Sequence, residues 1–452
     1  MIRYHSTNRA SPPVDLREAL LRGQAPDRGL YLPERFPVVD HQVRRHFTSL
    51  PYAAIAAEVL APYTEGLLTR DELETLCRQA YDFPVPLEPV QGMNRVWILR
   101  LDRGPTASFK DFAARWMARV LARLVAQDGR PLTILTATSG DTGSAVASAF
   151  HRVPGIRVVV LFPRHEVSNR QRRQMTTLGD NIRCVALEGK FDDCQALVKQ
   201  AFADPALAGL NLSSANSINI GRLLPQTVYY FYAASRVADP DEPVDVVVPS
   251  GNFGNMMGAV IARRMGLPVR RLIVPVNAND EFPRYLATGR YEKVVPSRAC
   301  LSNAMNVGHP SNLARLVAVY GGWMDESGRI REQPDLDAMR RDLFSVSVSD
   351  EETRTAIREA WERHQLLLEP HGAVAWRGYQ HYLHTTQPPA APAVLLETAH
   401  PAKFPEEIER LLGFQPEEPD SLKALDHLPE SYDSLEPRYD LFRDYLLALP
   451  RP

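Results

Sequence analysis

The sequence predicts an α/β fold in which parallel sheets are flanked by helices, behind a mainly helical N-terminal region. Two observations carry this reading. From residue 96 onward, short β-branched runs alternate with helical patterns, the rhythm of βαβ units. Three of those runs end in turns rich in glycine, hydroxyl or amide residues that open helices: 138–144, 250–255 and 398–403. In open parallel sheets ligands collect at the carboxyl ends of strands, so these turns belong beside one cleft.

The elements follow in order. Residues 1–95 form the N-terminal region. A short helix there ends at Gly23, Asp27-Arg28-Gly29 makes a turn, and helical patterns cover 53–60 and 70–80, the latter with Asp71 and Glu72 in its first turn. Residues 96–235 are expected to form one α/β domain. It has strands over 96–99, 133–138, 157–163 and 182–187, and helices from Lys110, over 171–178 and over 191–203. Residues 236–414 are expected to form a second α/β domain, with strands over 244–249, 271–276 and 393–398 and helices over 255–265 and from His371. Within it the charged stretch 325–341 reads as an exposed insertion or hinge. The proline- and acid-rich tail, 415–452, reads as peripheral wrapping.

The chain has 452 residues, 44% of them hydrophobic, enough for large cores. A formal net charge of −2 makes no electrostatic case for nucleic acid. No apolar run reaches the length of a membrane span, and Met1 to Thr7 lack a signal-peptide pattern, so a cytoplasmic protein without a membrane partner is expected. Cys77, Cys184, Cys194 and Cys300 have neither CxxC nor CxxH spacing, so no metal site and no disulfide framework are expected.

The chemistry centres on Lys110. Phe109, Phe112, Ala113, Trp116, Met117 and Val120 recur at helical spacing as a buried stripe that the lysine borders, with Arg115 and Arg119 as a solvated rim. A partly desolvated ammonium loses its proton more easily, and a neutral amine attacks carbonyls. Snorkelling to water is the ordinary alternative. Ser250-Gly251-Asn252-Phe253-Gly254-Asn255 contains no Lys or Arg, so its backbone N–H groups would have to hold a phosphate; an ordinary glycine turn fits equally well. It lacks the Walker and dinucleotide patterns. Ser139-Gly140-Asp141-Thr142 offers donors for a carboxylate, with Asp141 also readable as an N-cap. Thr398 also reads as a plain strand-end threonine. Asn216 to Asn219 and Arg222 form a polar cluster before an aromatic helix. One cornered lysine, one phosphate cradle without a nucleotide motif and one carboxylate turn together suggest pyridoxal phosphate (PLP).

An ordered set of motifs extends this reading. They are Gly104-Pro105-Thr106 through Lys110-Asp111-Phe112, Thr136 to Gly143, Asn216 to Ile220 and Val248 to Asn255, followed by Leu301-Ser302-Asn303-Ala304-Met305, Glu369-Pro370-His371-Gly372-Ala373-Val374-Ala375 and Thr398 to Phe404. In that order they resemble the threonine synthase family of fold-type II PLP enzymes. Ser108 and Arg28 depart from it, Arg28 standing where a second glycine is common. The resemblance implies a cofactor held between two α/β domains, with Lys110 as its covalent lysine and Ser250, Gly251, Asn252, Phe253, Gly254 and Asn255 around its phosphate. It further implies Asp141 beside the 3′-oxygen and Thr398 facing the pyridine nitrogen. Ser139, Gly140 and Thr142 would take the substrate carboxylate, while Ser217, Asn219, Arg222 and Lys403 are candidates for the substrate phosphate.

The implied reaction converts O-phospho-L-homoserine and water into L-threonine and phosphate by γ-elimination and β-addition of water. A phospho-lyase releasing 2-oxobutanoate and a non-catalytic ligand-sensing protein on the same fold are the alternatives. Monomer and homodimer both stay open.

Overall fold

Two largely parallel sheets organise the computed structural model, which describes residues 1–450. The strands are β1 (Tyr4–Ser6), β2 (Tyr31–Pro33), β3 (Leu87–Pro89), β4 (Val96–Arg100), β5 (Leu132–Ala137), β6 (Ile156–Pro163), β7 (Ile182–Leu187), β8 (Leu212–Ser214), β9 (Val244–Val247), β10 (Val269–Ile273), β11 (Trp323–Met324), β12 (Ile330–Glu332), β13 (Leu343–Phe344), β14 (Ala393–Glu397) and β15 (Asp433–Leu435). One sheet has the order β15-β7-β6-β5-β8, parallel throughout. The other runs β13-β10-β9-β14-β4-β3, with only β3 antiparallel. Every residue of β5 and β6 is buried. That explains why these strands show no apolar–polar alternation: even Thr133, Thr136 and Arg157 are buried.

The two sheets do not follow the two blocks of sequence. Strand β4, read from sequence with residues 96–235, pairs in register with β14, Val96 opposite Ala393 and Arg100 opposite Glu397. Consequently the loop that leads to Lys110 leaves the second sheet, while the Lys110–Asp128 helix packs on the Asp141–Phe150 helix of the first. The helix stripe is buried as expected apart from half-buried Phe109. Arg115 is not a solvated rim. Its guanidinium donates to the carbonyls of Gln79 and Ala80, closing the Arg70–Ala80 helix.

Three peripheral readings change. The N-terminal region also carries the antiparallel pair β1–β2, and Arg28 there sits at φ +67°. A left-handed backbone favours glycine, which accounts for glycine being common at that position of the family signature. The stretch 325–341 is largely exposed, as expected of an insertion, but it is ordered by regular structure. It turns from β11 into β12 around Asp325, whose carboxylate accepts the N–H groups of Ser327 and Arg329, and continues as the Leu336–Asp342 helix. The tail is also integral. It adds β15 to the first sheet, and Phe442 and Leu446 of the Tyr439–Ala448 helix enter a core with Val159 and Leu187. Spacing of i, i+4 puts those two side chains on one helix face. Tail residues Glu418, Asp426 and Glu430 further pair with Arg170, Arg172 and Arg173 of the Asn169–Thr176 helix. Among the described residues no helix is long and apolar enough to cross a membrane, and no His/Cys/Asp/Glu group is suited to a metal ion.

Candidate active site

Lys110 begins its helix because the preceding turn is tied at both ends. The Thr106 N–H and hydroxyl donate to the Asp111 carboxylate at 2.8 and 2.7 Å, and the Phe109 N–H donates to the Thr398 carbonyl at 2.9 Å. Burial raises the Asp111 carboxyl to about 6 against those hydrogen bonds. The same ties carry Lys110 into a cleft that Thr398 also lines. The lysine side chain is half-buried by area because the cleft reaches it. Protein atoms nevertheless crowd its amine, which lies 5.2 Å from the Phe109 ring centre. Burial lowers the amine to about 8; the Asp141 carboxylate opposes this, and the Arg222 and Lys403 cations add to it. An amine in that range can serve as a nucleophile and proton carrier near neutral pH.

After β5, the Ser139 to Gly143 turn folds around the Thr138 hydroxyl, which accepts the Gly140 and Gly143 N–H groups at 2.9 and 2.8 Å. Gly140 has φ +134°, and a Cβ there would lie 2.4 Å from the Gln171 side chain. Among the described residues, the N–H groups of Ser139, Asp141 and Thr142 have no protein acceptor. Asp141 is the first helical residue and not an N-cap. Its carboxylate accepts from Lys403 Nζ at 2.6 Å and Gln171 Nε2 at 3.0 Å. Burial alone would raise this carboxyl, but the charges of Lys403 and Lys110 hold it well below the usual range.

After β9, the Ser250 to Asn255 turn enters the Gly254–Arg264 helix. Among the described residues, the N–H groups from Gly251 through Met256 have no protein acceptor. The left-handed residue is Phe253, at φ +64°, and its ring packs away against Phe282. Gly251 matters for space: a Cβ there would lie 2.9 Å from both the Ala304 carbonyl oxygen and Met305 Cα. Asn255 Oδ1 accepts the Tyr229 and Tyr230 hydroxyls, leaving its buried Nδ2 without a protein partner. Unspent N–H donors at a helix N-terminus, a close backbone approach and a spare amide donor suit a phosphate dianion. Together with Lys110 for the aldehyde carbon, these residues fit pyridoxal phosphate.

Lys110, Ser139, Asp141, Thr142, Ser217, Arg222, the six residues 250–255 and Thr398 line the cleft together. Gly140 lies just beneath, its N–H already used by Thr138. Asn219 and Lys403 do not line it. Asn219 donates to the Leu20 and Ser214 carbonyls and accepts the Gly221 N–H, so it caps a turn. Lys403 is fully buried between Asp141 and the Thr106 carbonyl. Asn219 has no side-chain donor left, and Lys403, with two of its three N–H groups engaged, does not reach the cleft where a substrate phosphate would sit. Arg222 does reach it; it is buried, makes no ion pair among the described residues and leaves Nε unpartnered. Burial lowers this guanidinium to about 10. Ala304, Met305 and His371 also line the cleft. They belong to motifs visible in the sequence, but a motif without a charged or nucleophilic pair at fixed spacing did not announce contact with the site.

Fold and site together define a pyridoxal phosphate enzyme, and comparison with known proteins agrees. The pyridoxal-phosphate dependent enzyme family matches residues 81–398, preceded by a threonine synthase N terminus over 3–81 and followed by a threonine synthase C-terminal region over 372–446. Threonine synthase of Haemophilus influenzae is 40% identical over 96% of this chain and 97% of that one. That of Escherichia coli is 39% identical over 92% of each. A PLP-bound threonine synthase structure from Brucella melitensis superimposes with TM-score 0.90 at 36% identity, covering 99% of both chains. The yeast threonine synthase structure gives 0.89 at 28% identity, covering 99% of this chain and 98% of that one. The chain belongs to the threonine synthase family, and its cofactor is pyridoxal 5′-phosphate. The phospho-lyase and ligand-sensing alternatives are not favoured.

Proposed function

We propose that this chain converts O-phospho-L-homoserine and water into L-threonine and phosphate, as a carbon–oxygen lyase of the cytoplasm. The observation that carries this is the amine of Lys110, drawn down to about 8 in a cleft lined by unspent N–H donors on two sides. The Ser250 to Asn255 turn holds the cofactor phosphate through its backbone, and Lys110 is the covalent lysine. The chemistry that bound pyridoxal phosphate supplies is an electron sink that acidifies the substrate's α- and then β-protons.

The chain's own residues do the rest. With that cofactor bound and its own amine free, Lys110 would take the substrate's α- and β-protons and return protons at the γ- and α-carbons. Phosphate would leave the γ-carbon with the bonding electron pair, and a water oxygen would bond to the β-carbon, that water's proton passing to the departed phosphate. Ser139, Asp141 and Thr142 N–H groups receive the substrate carboxylate, with Gly140 shaping the turn. The Asp141 carboxylate, kept anionic by Lys403, would stand beside the cofactor's 3′-oxygen, and Thr398 would offer a neutral hydroxyl to the pyridine nitrogen. Arg222 and Ser217 receive the substrate phosphate; Arg222 is a guanidinium without a carboxylate partner, suited to a tetrahedral anion.

Chromatography of the products from O-phospho-L-homoserine tests this. Threonine and phosphate in equal amounts, with 2-oxobutanoate minor, are expected. Chiefly 2-oxobutanoate would replace the synthase reading with the phospho-lyase one.

A further inference from the structure

Two motifs remain without a role in that scheme, Leu301 to Met305 and Glu369 to Ala375, and in the fold they meet. The His371 ring accepts the Ala304 N–H at Nε2, 3.1 Å away. An imidazole that accepts there in its neutral form carries its proton on Nδ1. That nitrogen lies 2.5 Å from Glu369 Oε2, which fixes both ring angle and tautomer. Glu369 is itself immobile. Fully buried, it caps the Pro370–Thr386 helix by accepting the His371 and Gly372 N–H groups, and its own N–H donates to Glu397 Oε1 at 3.0 Å. Burial, and after it the neighbouring Glu369 charge, push the Glu397 carboxyl well above the usual carboxylate range. Only glycine at 372 allows this stacking, because a Cβ there would lie 1.6 Å from Glu397 Oε2.

What His371 holds is a turn with two arms. On one side the Ala304 carbonyl and Met305 Cα lie against Gly251 of the phosphate cradle. On the other, Asn303 Nδ2 donates to Gln171 Oε1 at 3.2 Å, and Gln171 Nε2 donates onward to Asp141. The turn therefore spans the cleft from the phosphate cradle to the carboxylate turn. We infer that His371 is a positioning residue, anchoring the Asn303 to Met305 turn as a tie bar that sets the spacing between the cofactor's phosphate and the substrate's carboxylate. This rests on the reading that Ser250 to Asn255 holds the cofactor phosphate.

The test is equilibrium PLP affinity of the cofactor-free protein, followed by absorbance, together with substrate KM and the circular dichroism of the apo-protein. H371L removes the acceptor and should weaken PLP binding about tenfold with an unchanged far-UV spectrum. H371Q places an amide oxygen near the lost Nε2 and should restore most of the affinity. N303A cuts only the Gln171 arm and should raise KM several-fold while leaving PLP affinity alone. If H371L fails to fold, H371N takes its place, since its shorter amide cannot reach the Ala304 N–H: weaker PLP affinity than H371Q is expected, and equal affinity in the two overturns the anchor. Unchanged affinity in H371L, with weakened affinity in G251A, overturns the anchor and spares the cradle. Unchanged affinity in G251A overturns the cradle and the anchor with it.

Discussion

The Ser139 to Gly143 turn and the Ser250 to Asn255 turn are built alike and charged differently. Each follows a buried parallel strand, opens a helix and leaves backbone N–H groups free at the cleft. The first contains Asp141, bound to Lys403 in a fully buried ion pair. The second contains no ionisable residue, and its polar side chains are those of Ser250, Asn252 and Asn255. The difference follows from what each turn faces. A permanent phosphate dianion would be repelled by a carboxylate and needs only donors. Beside Lys110, a fixed carboxylate partly restores what burial takes from the amine, leaving it at about 8 and not lower. On the proposed assignment, charge within a turn tunes a neighbour, while neutral backbone would do the holding.

The largest break comes from removing the charge that supports the first turn. Lys403→Met leaves Asp141 buried beside one lost cation, and breaking such a pair costs about 3–5 kcal/mol. Denaturant unfolding of the cofactor-free protein at pH 7 should show that loss. Neutralising both partners in a Lys403→Met, Asp141→Asn double variant should recover part of it. The sign with pH follows from Asp141 being depressed in the fold. Wild-type stability from this carboxylate is present above its unfolded pKa of about 4 and is lost as pH falls below that. The stability gap between wild type and Lys403→Met should therefore narrow in acid. A gap that stays constant from pH 7 to pH 3 would mean that the pair contributes nothing.

In the second turn, the prediction separates two glycines that sequence treats as equivalent. A Cβ at Gly251 meets two backbone atoms at 2.9 Å, whereas a Cβ at Gly254 meets the Ser217 side chain at 3.1 Å. Backbone cannot swing aside, so G251A should weaken PLP binding about tenfold and G254A less than threefold. Neither residue has a positive φ; that strain is carried by Phe253. Equal losses in the two variants would show that steric clearance is not what Gly251 provides.

Much of this was legible without coordinates. The strand–turn–helix pattern located both turns, Thr398 and Lys110, because a buried strand followed by glycine and hydroxyl residues is a local signal. What stayed hidden depends on distant partners. Lys403 reads as a free cation until the Thr106 carbonyl, 297 residues away in sequence, is seen to bind it. Asn219 reads as a ligand donor until the carbonyl of Leu20 is seen to use it. The placement of β4 in the second sheet and the addition of β15 to the first are pairings of strands far apart in the chain, and Asp433–Leu435 is too short and polar to announce itself. Free valence and sheet membership are tertiary properties.

The smallest effect expected concerns Thr142, and it probes what the first turn does beyond supporting Asp141. Thr142 lines the cleft, and its N–H has no protein acceptor. Valine keeps the shape and the N–H but deletes the hydroxyl, so one neutral hydrogen bond to a carboxylate is lost while the rest of the nest survives. Such a bond to a charged group is worth about 1.5–3 kcal/mol at most. Part of that loss should fall on binding, raising the KM for O-phospho-L-homoserine several-fold. The remainder should fall on partitioning after phosphate departure. A substrate held less firmly by its carboxylate leaves the closed site sooner, before water has added to the β-carbon. Thr142→Val should therefore raise the ratio of 2-oxobutanoate to threonine several-fold, read by chromatography of both products, without altering PLP affinity. A ratio equal to wild type would confine the turn to binding. Weakened PLP affinity would instead mean that the two turns share the cofactor, and that their contrast in charge does not divide the work between them.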